Sequence, residues 1–68
     1  MTIKQIEEAL IEIEELSHDN EDAHIMEDEL YSSFIDYVSD LKRSDKDLAK
    51  KAKLILTSKD IDFERYYA

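Results

Sequence analysis

The stretch that decides the fold is residues 2–16, which read TIKQIEEALIEIEEL. Its apolar residues recur at spacings of three and four, as they do on the buried face of an α-helix. They are Ile3, Ile6, Leu10 and Ile13, with Ala9 and Leu16 widening the stripe. Thr2 and Gln5 have the T-x-x-Q form of a capping box, in which each side chain accepts a hydrogen bond from the other residue's backbone N–H. These residues predict a helix that starts at Thr2 and ends near Ser17.

A turn and a longer helix follow in the same pattern. Residues 17–22 are polar, and Asp19 or Asn20 can cap the helix after them. We expect this second helix from about Glu21 to Lys42, roughly 30 Å long. Its apolar residues are Ala23, Met26, Leu30, Phe34, Tyr37, Val38 and Leu41, with Tyr31 and Ile35 alongside.

The third segment opens on Ser44, which with Asp47 has the S-x-x-D form of a capping box. Its apolar face is Leu48, Ala49, Ala52, Ile55 and Leu56, and its polar face carries Lys46, Lys50, Lys51 and Lys53. Thr57 and Ser58 are expected to break this helix, and a final turn would dock an aromatic tail made of Ile61, Phe63, Tyr66 and Tyr67. We therefore predict an all-α fold, in which a helical hairpin and a third helix form one domain over residues 1–68. A core this small supplies only about 3–5 kcal/mol, so we expect a homodimer that pairs into a larger bundle.

The composition excludes several classes of protein. The chain has 68 residues and contains no Gly, Pro, Cys or Trp. Without Gly there is no phosphate-binding loop, and without Cys there is no thiolate zinc site or thiol nucleophile. No apolar run approaches the roughly 20 residues of a membrane span, and residues 1–5 lead directly into the periodic pattern, so we expect no signal segment. We expect a non-enzymatic cytoplasmic protein with no cofactor and no membrane contact.

Charge is divided unevenly along the chain. The formal net charge is −9. Residues 1–40 hold one basic and thirteen acidic side chains, a net of −12, whereas residues 41–68 hold eight basic and five acidic, a net of +3. The basic stretch from Lys42 to Lys53 is interrupted by Asp45 and Asp47, which favours pairing with the acidic half over direct binding of nucleic acid.

The acidic face of the first helix is the main candidate for an interaction. Carboxylates at helical spacing lie about 6 Å apart, a distance comparable to that between phosphates along a nucleic-acid strand. Such a face could occupy the basic groove of a nucleic-acid-binding protein, and the alternative is that it only keeps the chain soluble. The predicted interaction residues are Glu7, Glu8, Glu12, Glu15 and Asp22, and Ile11, which lies off the apolar stripe, is a candidate partner contact.

A polar cluster begins the second helix. His24, Glu27 and Asp28 occupy positions i, i+3 and i+4, so they share one face of the helix. That face could bind a divalent metal or a nucleotide, or it could hold a structural pair between the imidazole and a carboxylate.

Two weaker patterns involve acidic residues at other spacings. Glu15 and His18 form an E-x-x-H, but di-iron bundles need two such motifs and further glutamates. Glu7, Glu8 and Glu12, followed by the Glu27–Asp28 pair, loosely resemble the acidic helices of all-α nucleotide pyrophosphohydrolases. The spacing from Glu8 to Glu12 is one residue longer than the E-E-x-x-E pattern of that family.

Two segments resemble a family of small, uncharacterised phage and prophage proteins. Residues 23–31 are similar to A-H-x-x-E-D-x-L-Y, and residues 56–68 to L-K-T-x-x-I-D-F-x-R-W-x-A. Thr57, Ser58 and Tyr66 depart from the second pattern. The resemblance implies a protein carried by a mobile element, with a shared role for His24, Glu27, Asp28, Asp62 and Arg65.

One role for these residues is an ion pair that joins Arg65 to Glu27 or Asp28 and ties the tail to the second helix. Taken together, the sequence predicts an acidic interaction module that inhibits or redirects a host or phage protein with a basic surface. The alternative is a helical protein that binds a metal or a nucleotide through the polar cluster.

Overall fold

Three helices make up the computed structural model, which describes residues 1–65. They are α1 (Ile3–Glu15), α2 (Asn20–Ser39) and α3 (Leu48–Leu56), and a short 3₁₀ helix, Thr57–Asp60, follows α3. Helix α1 packs on both α2 and α3. The prediction of an all-α fold built from a hairpin and a third helix is confirmed, and residues 1–65 contain no strand.

The caps of the hairpin are those that the sequence predicts. The backbone N–H of Thr2 donates to Gln5 Oε1 at 2.8 Å, and the N–H of Gln5 donates to Thr2 Oγ1 at 3.1 Å, which completes the capping box. At the start of α2, Asp19 Oδ1 accepts from the N–H of Asp22 at 3.2 Å. Each bond satisfies a donor that a helix start would otherwise leave unpaired.

Helix α2 ends at Ser39, earlier than the predicted Lys42. The Ser39 hydroxyl donates to the carbonyl of Asp36 at 2.8 Å. A Ser hydroxyl that bonds to a nearby backbone carbonyl competes with the backbone hydrogen bonds of the helix, so Ser is a poor residue for continuing it.

The predicted capping box at Ser44 is wrong. Helix α3 begins at Leu48, and its N-cap is Asp47, whose side chain makes no capping bond. Asp45 instead accepts from the N–H of Asp47 through Oδ1 at 2.8 Å, while its other oxygen bonds to Lys51 and Tyr37. Asp45 is therefore the centre of this turn, and its bonds to Tyr37 and Lys51 join residues that a four-residue capping motif does not include.

The core joins all three helices to the C-terminal segment. Its buried apolar residues are Ile6, Ile13, Ala23, Leu30, Ile55 and Phe63. Phe63 is 7% exposed, which confirms its predicted place in the core. The predictions for Tyr66 and Tyr67 lie outside the described residues.

A polar pair supports this core. Ser58 is fully buried, and its hydroxyl lies 2.7 Å from the hydroxyl of Tyr31, so the 3₁₀ helix is bonded to α2.

None of the helices within residues 1–65 has the length and apolar character needed to cross a bilayer.

Candidate interaction surface

The exposed side of α1 carries the predicted acidic face. Glu7, Glu8, Glu12 and Glu15 are all exposed, and Asp22 is exposed in the first turn of α2. At 100° per residue, the glutamates of α1 fall on both sides of Ile11, whose side chain is 59% exposed. The residues at i−4, i−3, i+3 and i+4 from this isoleucine are Glu7, Glu8, Glu14 and Glu15. An apolar side chain therefore stands in the middle of four carboxylates.

None of these carboxylates is neutralised by the rest of the described chain. Within residues 1–65, the ion pairs are Arg65 with Glu27, Lys51 with Asp45, and His24 with Asp28. Of the basic stretch, only Lys51 forms an ion pair within residues 1–65, and its partner Asp45 belongs to the same stretch. The expectation that this stretch pairs with the acidic half is therefore wrong for Lys51. The acidic face of α1 keeps its charge at the surface.

The predicted polar cluster divides into two parts. His24 Nε2 lies 3.2 Å from Asp28 Oδ2, and the side chain of Asp28 is 63% exposed. Glu27, by contrast, is 4% exposed and turns toward the core. Its two carboxylate oxygens each accept from Arg65, from Nε and from Nη2, both at 2.9 Å. The predicted ion pair between Arg65 and Glu27 is confirmed, and Asp28 is not part of it.

Arg65 also closes the C-terminal segment on itself. Its Nη2 donates to the carbonyls of Ser58 at 2.8 Å and Ile61 at 3.2 Å, and its Nη1 donates to the carbonyl of Phe63 at 3.2 Å. The guanidinium carbon lies 3.8 Å from the centre of the Phe63 ring, a cation–π contact. We call Glu27, Arg65 and the three carbonyls the C-terminal clamp.

The charges of the clamp are stabilised by each other. Burial alone would raise the pKa of Glu27, but hydrogen bonds from Arg65 and Ser58 outweigh burial, and the pKa is lowered. The bond to Glu27 raises the pKa of Arg65. These directions are those of a structural ion pair that stays charged, rather than of a carboxyl tuned to exchange a proton.

The metal and nucleotide patterns do not assemble. Within the described part of the chain, no three His, Cys, Asp or Glu side chains are placed to hold a metal ion together. Glu15 is the last residue of α1 and His18 lies beyond it in the exposed turn. The nucleotide pattern needs Glu27 beside the glutamates of α1, but Glu27 is bound by Arg65.

A second buried charge pair was not predicted from the sequence. Lys51, assigned there to the polar face of α3, is 9% exposed, and its Nζ lies 2.5 Å from Asp45 Oδ2. The hydroxyl of Tyr37 donates to the same carboxylate oxygen, and Lys51 Nζ lies 3.3 Å from that hydroxyl. The bonds from Lys51 and Tyr37 lower the pKa of Asp45 to about 2, and the bond to Asp45 raises the pKa of Lys51. No spacing rule predicts this cluster, because it joins the end of α2, a loop and the middle of α3.

Comparison with protein-family models, with curated proteins and with solved structures found no match to this chain. A function for this chain therefore has to follow from its own residues and their geometry.

Proposed function

We propose that this chain is a non-enzymatic interaction module that binds a basic protein through the exposed face of α1. The observation that carries the proposal is the group of exposed, unpaired carboxylates around Ile11. The ion pairs of Arg65 with Glu27 and of Lys51 with Asp45 serve the fold. The carboxylates of α1 form no ion pair within residues 1–65, so they are available to a partner.

The chemistry of this face defines the partner. A ring of carboxylates attracts a surface rich in Lys and Arg, which increases the rate of association and excludes acidic proteins. An isoleucine at the centre would enter an apolar pocket and add affinity that salt does not screen. Proteins that bind nucleic acid have grooves of this kind, with basic rims along the path of the phosphates.

Inhibition follows from occupation of such a groove, since the carboxylates of α1 would stand where phosphates otherwise bind. The resemblance of two segments to small phage and prophage proteins supports a cytoplasmic inhibitor of this type, encoded by a mobile element and directed at a host protein.

The test is a pull-down from a bacterial lysate with the tagged chain, at low and at moderate salt. We expect one basic protein to be retained at low salt and largely lost at moderate salt, because screening weakens exposed charge pairs. The decisive variant is Glu8→Gln, Glu12→Gln and Glu15→Gln together, which should abolish retention.

The matched control removes three charges elsewhere. Asp60→Asn, Asp62→Asn and Glu64→Gln together change the net charge equally, and all three residues are exposed in the C-terminal segment. This control should retain the partner. Equal loss with both triple variants would show that net charge, rather than the α1 face, attracts the protein, and would overturn the proposal.

A further inference from the structure

The outer face of α2 leaves apolar surface uncovered. Ile25, Ile35 and Val38 are 47%, 66% and 41% exposed. At 100° per residue, Ile25 lies on the side of α2 opposite Ala23, Glu27 and Leu30, the residues that the helix buries, whereas Ile35 lies on the flank and Val38 nearer the buried side. Ile25 is therefore an apolar side chain that points away from the core of its own chain.

This face also contains a shallow groove with an acidic border. The groove has a volume of about 370 Å³ and is lined by Ile25, Asp28, Glu29, Ser32, Ser33 and Asp36. The two serines are small, so they form a depression between longer side chains. A side chain that fills the groove must be apolar enough to cover Ile25 and must be flanked by positive charge to meet the carboxylates.

A surface with these properties lies on the same chain. Leu56, the last residue of α3, is 51% exposed. Lys53 lies three residues before it and Lys59 three residues after it, and both are exposed. Neither lysine forms an ion pair within residues 1–65. Leu56 is thus an exposed apolar side chain between two unpaired cations, the complement of the groove on α2.

We propose that the groove on α2 is filled by Leu56 of a second copy of this chain, with Lys53 and Lys59 of that copy paired to the acidic border. Each copy carries both surfaces, and the proposal places the two copies about a twofold axis, so that each contact is made twice. A helix α2 of the second copy is a poorer occupant, because it would bring Asp28, Glu29 and Asp36 against the same carboxylates.

The self-association is independent of the proposed partner binding, which uses α1. Self-association would also add stability to a fold with a small core. The described core has six buried apolar residues, and domains of this size commonly gain stability from a second subunit. Burying Ile25 and Leu56 between two copies would remove further apolar surface from water.

The experiment is a charge exchange measured by sedimentation equilibrium at low salt, from micromolar to millimolar chain. The unaltered chain should sediment as a dimer of the 8.0 kDa chain. One variant carries Lys53→Glu and Lys59→Glu, and a second carries Glu29→Lys and Asp36→Lys. Each variant alone should dimerise at least about tenfold more weakly, because like charges then face one another.

An equimolar mixture of the two variants should recover association, because both junctions again join opposite charges. Leu56→Ser should weaken dimerisation at all salt concentrations. Glu8→Lys with Glu12→Lys is the control: both side chains lie on α1, so the dimer should persist while partner binding is lost. Circular dichroism establishes that each variant is folded.

The proposal is overturned if the unaltered chain stays monomeric at every concentration, if the charge variants dimerise like the unaltered chain, or if their mixture fails to associate. Assembly that grows beyond two copies would overturn the twofold arrangement. A failure here would leave the α1 pull-down unaffected, and a failed pull-down would leave the dimer unaffected, so the two proposals are judged separately.

Discussion

Glu27 on α2 and Glu8 on α1 are the same residue type on neighbouring helices, but their surroundings differ completely. Glu27 is 4% exposed and bound by two nitrogens of Arg65, whereas Glu8 is exposed and forms no ion pair. Burial makes a carboxylate costly unless a cation meets it, so the partner of Glu27 is part of the fold. The carboxylate of Glu8 stays hydrated, so its charge costs the folded state little free energy, and no ion pair of the fold includes it. The comparison separates carboxylates that hold the structure together from those that remain for a partner.

The largest expected effect is the loss of the C-terminal segment. A chain ended at Asp60 lacks both Phe63, a core residue, and Arg65, the cation of the clamp. Removal of a buried Phe side chain alone costs about 3–5 kcal/mol, comparable to the whole stability of a domain this small. We expect no cooperative melting transition when the truncated chain is followed by circular dichroism.

The control for the truncation changes the same segment without its anchors. Asp62→Ala with Glu64→Ala alters two exposed side chains and leaves Phe63 and Arg65 in place. This variant should melt close to the unaltered chain. A cooperative melt of the truncated chain at the unaltered temperature would show that the segment only lies against the helices.

The next effect tests the clamp. Arg65→Ala leaves the buried carboxylate of Glu27 without its cation, which costs about 3 kcal/mol. In a domain of this size the melting temperature should then fall by about 10–20 °C. An exposed cation outside every ion pair of residues 1–65 gives the control, since Lys50→Ala should change the melting temperature little.

A double variant measures the interaction between Glu27 and Arg65 apart from the cost of losing either side chain. Glu27→Gln combined with Arg65→Ala removes the uncompensated charge, so it should be less destabilised than the sum of the two single variants. Additive losses would mean that the two side chains do not stabilise each other and would contradict the clamp.

The third prediction concerns acid. The folded pKa of Asp45 is about 2, below its ordinary value of 3.8, and the pKa of Glu27 also lies below its ordinary value of 4.5. The unfolded chain therefore binds protons first, so this stability is complete above the ordinary values and is lost as the pH falls toward 2. Lys51 behaves in the opposite sense. Its pKa is raised above 10.5, so its contribution is complete below that value and is lost as the pH rises through the folded pKa.

Asp45→Asn isolates this dependence. The variant should melt lower than the unaltered chain at neutral pH, and the two melting temperatures should converge as the pH approaches about 2. Asp60→Asn, at an exposed position of the 3₁₀ helix, is the control and should melt close to the unaltered chain. A difference for Asp45→Asn that is constant across the acid range would show that the carboxylate contributes no pH-dependent stability.

The same distinction explains what could be predicted from the sequence. The start of α1 depends on Thr2 and Gln5, three residues apart, and the apolar spacing fixes which side of the helix is buried. The exposed carboxylates followed from that pattern, because they occupy the remaining positions. Local spacing was therefore enough for the hairpin and for the acidic face.

The charge pairs depend on contacts between distant parts of the chain. Arg65 lies 38 residues from Glu27, and only the resemblance of two segments suggested that these residues act together. Nothing in the spacing of Tyr37, Asp45 and Lys51 indicates that they meet, and this is why the predicted cap at Ser44 was wrong. Helical position assigned Lys51 to the polar face of α3, but its contact with Asp45 buries it.

The smallest effect on stability belongs to the carboxylates of α1. Glu8 and Glu12 are four residues apart and repel, so Glu8→Gln should raise the free energy of unfolding by about 0.3 kcal/mol in urea titrations. Glu27→Gln is the matched substitution on the neighbouring helix, and it should lower that free energy because it discharges the carboxylate that Arg65 holds. A glutamate that weakens the fold slightly while it faces water has no structural reason to be charged. If Glu8→Gln instead destabilised the chain as Glu27→Gln does, the face of α1 would belong to the fold, and the argument that it is kept for a partner would fail.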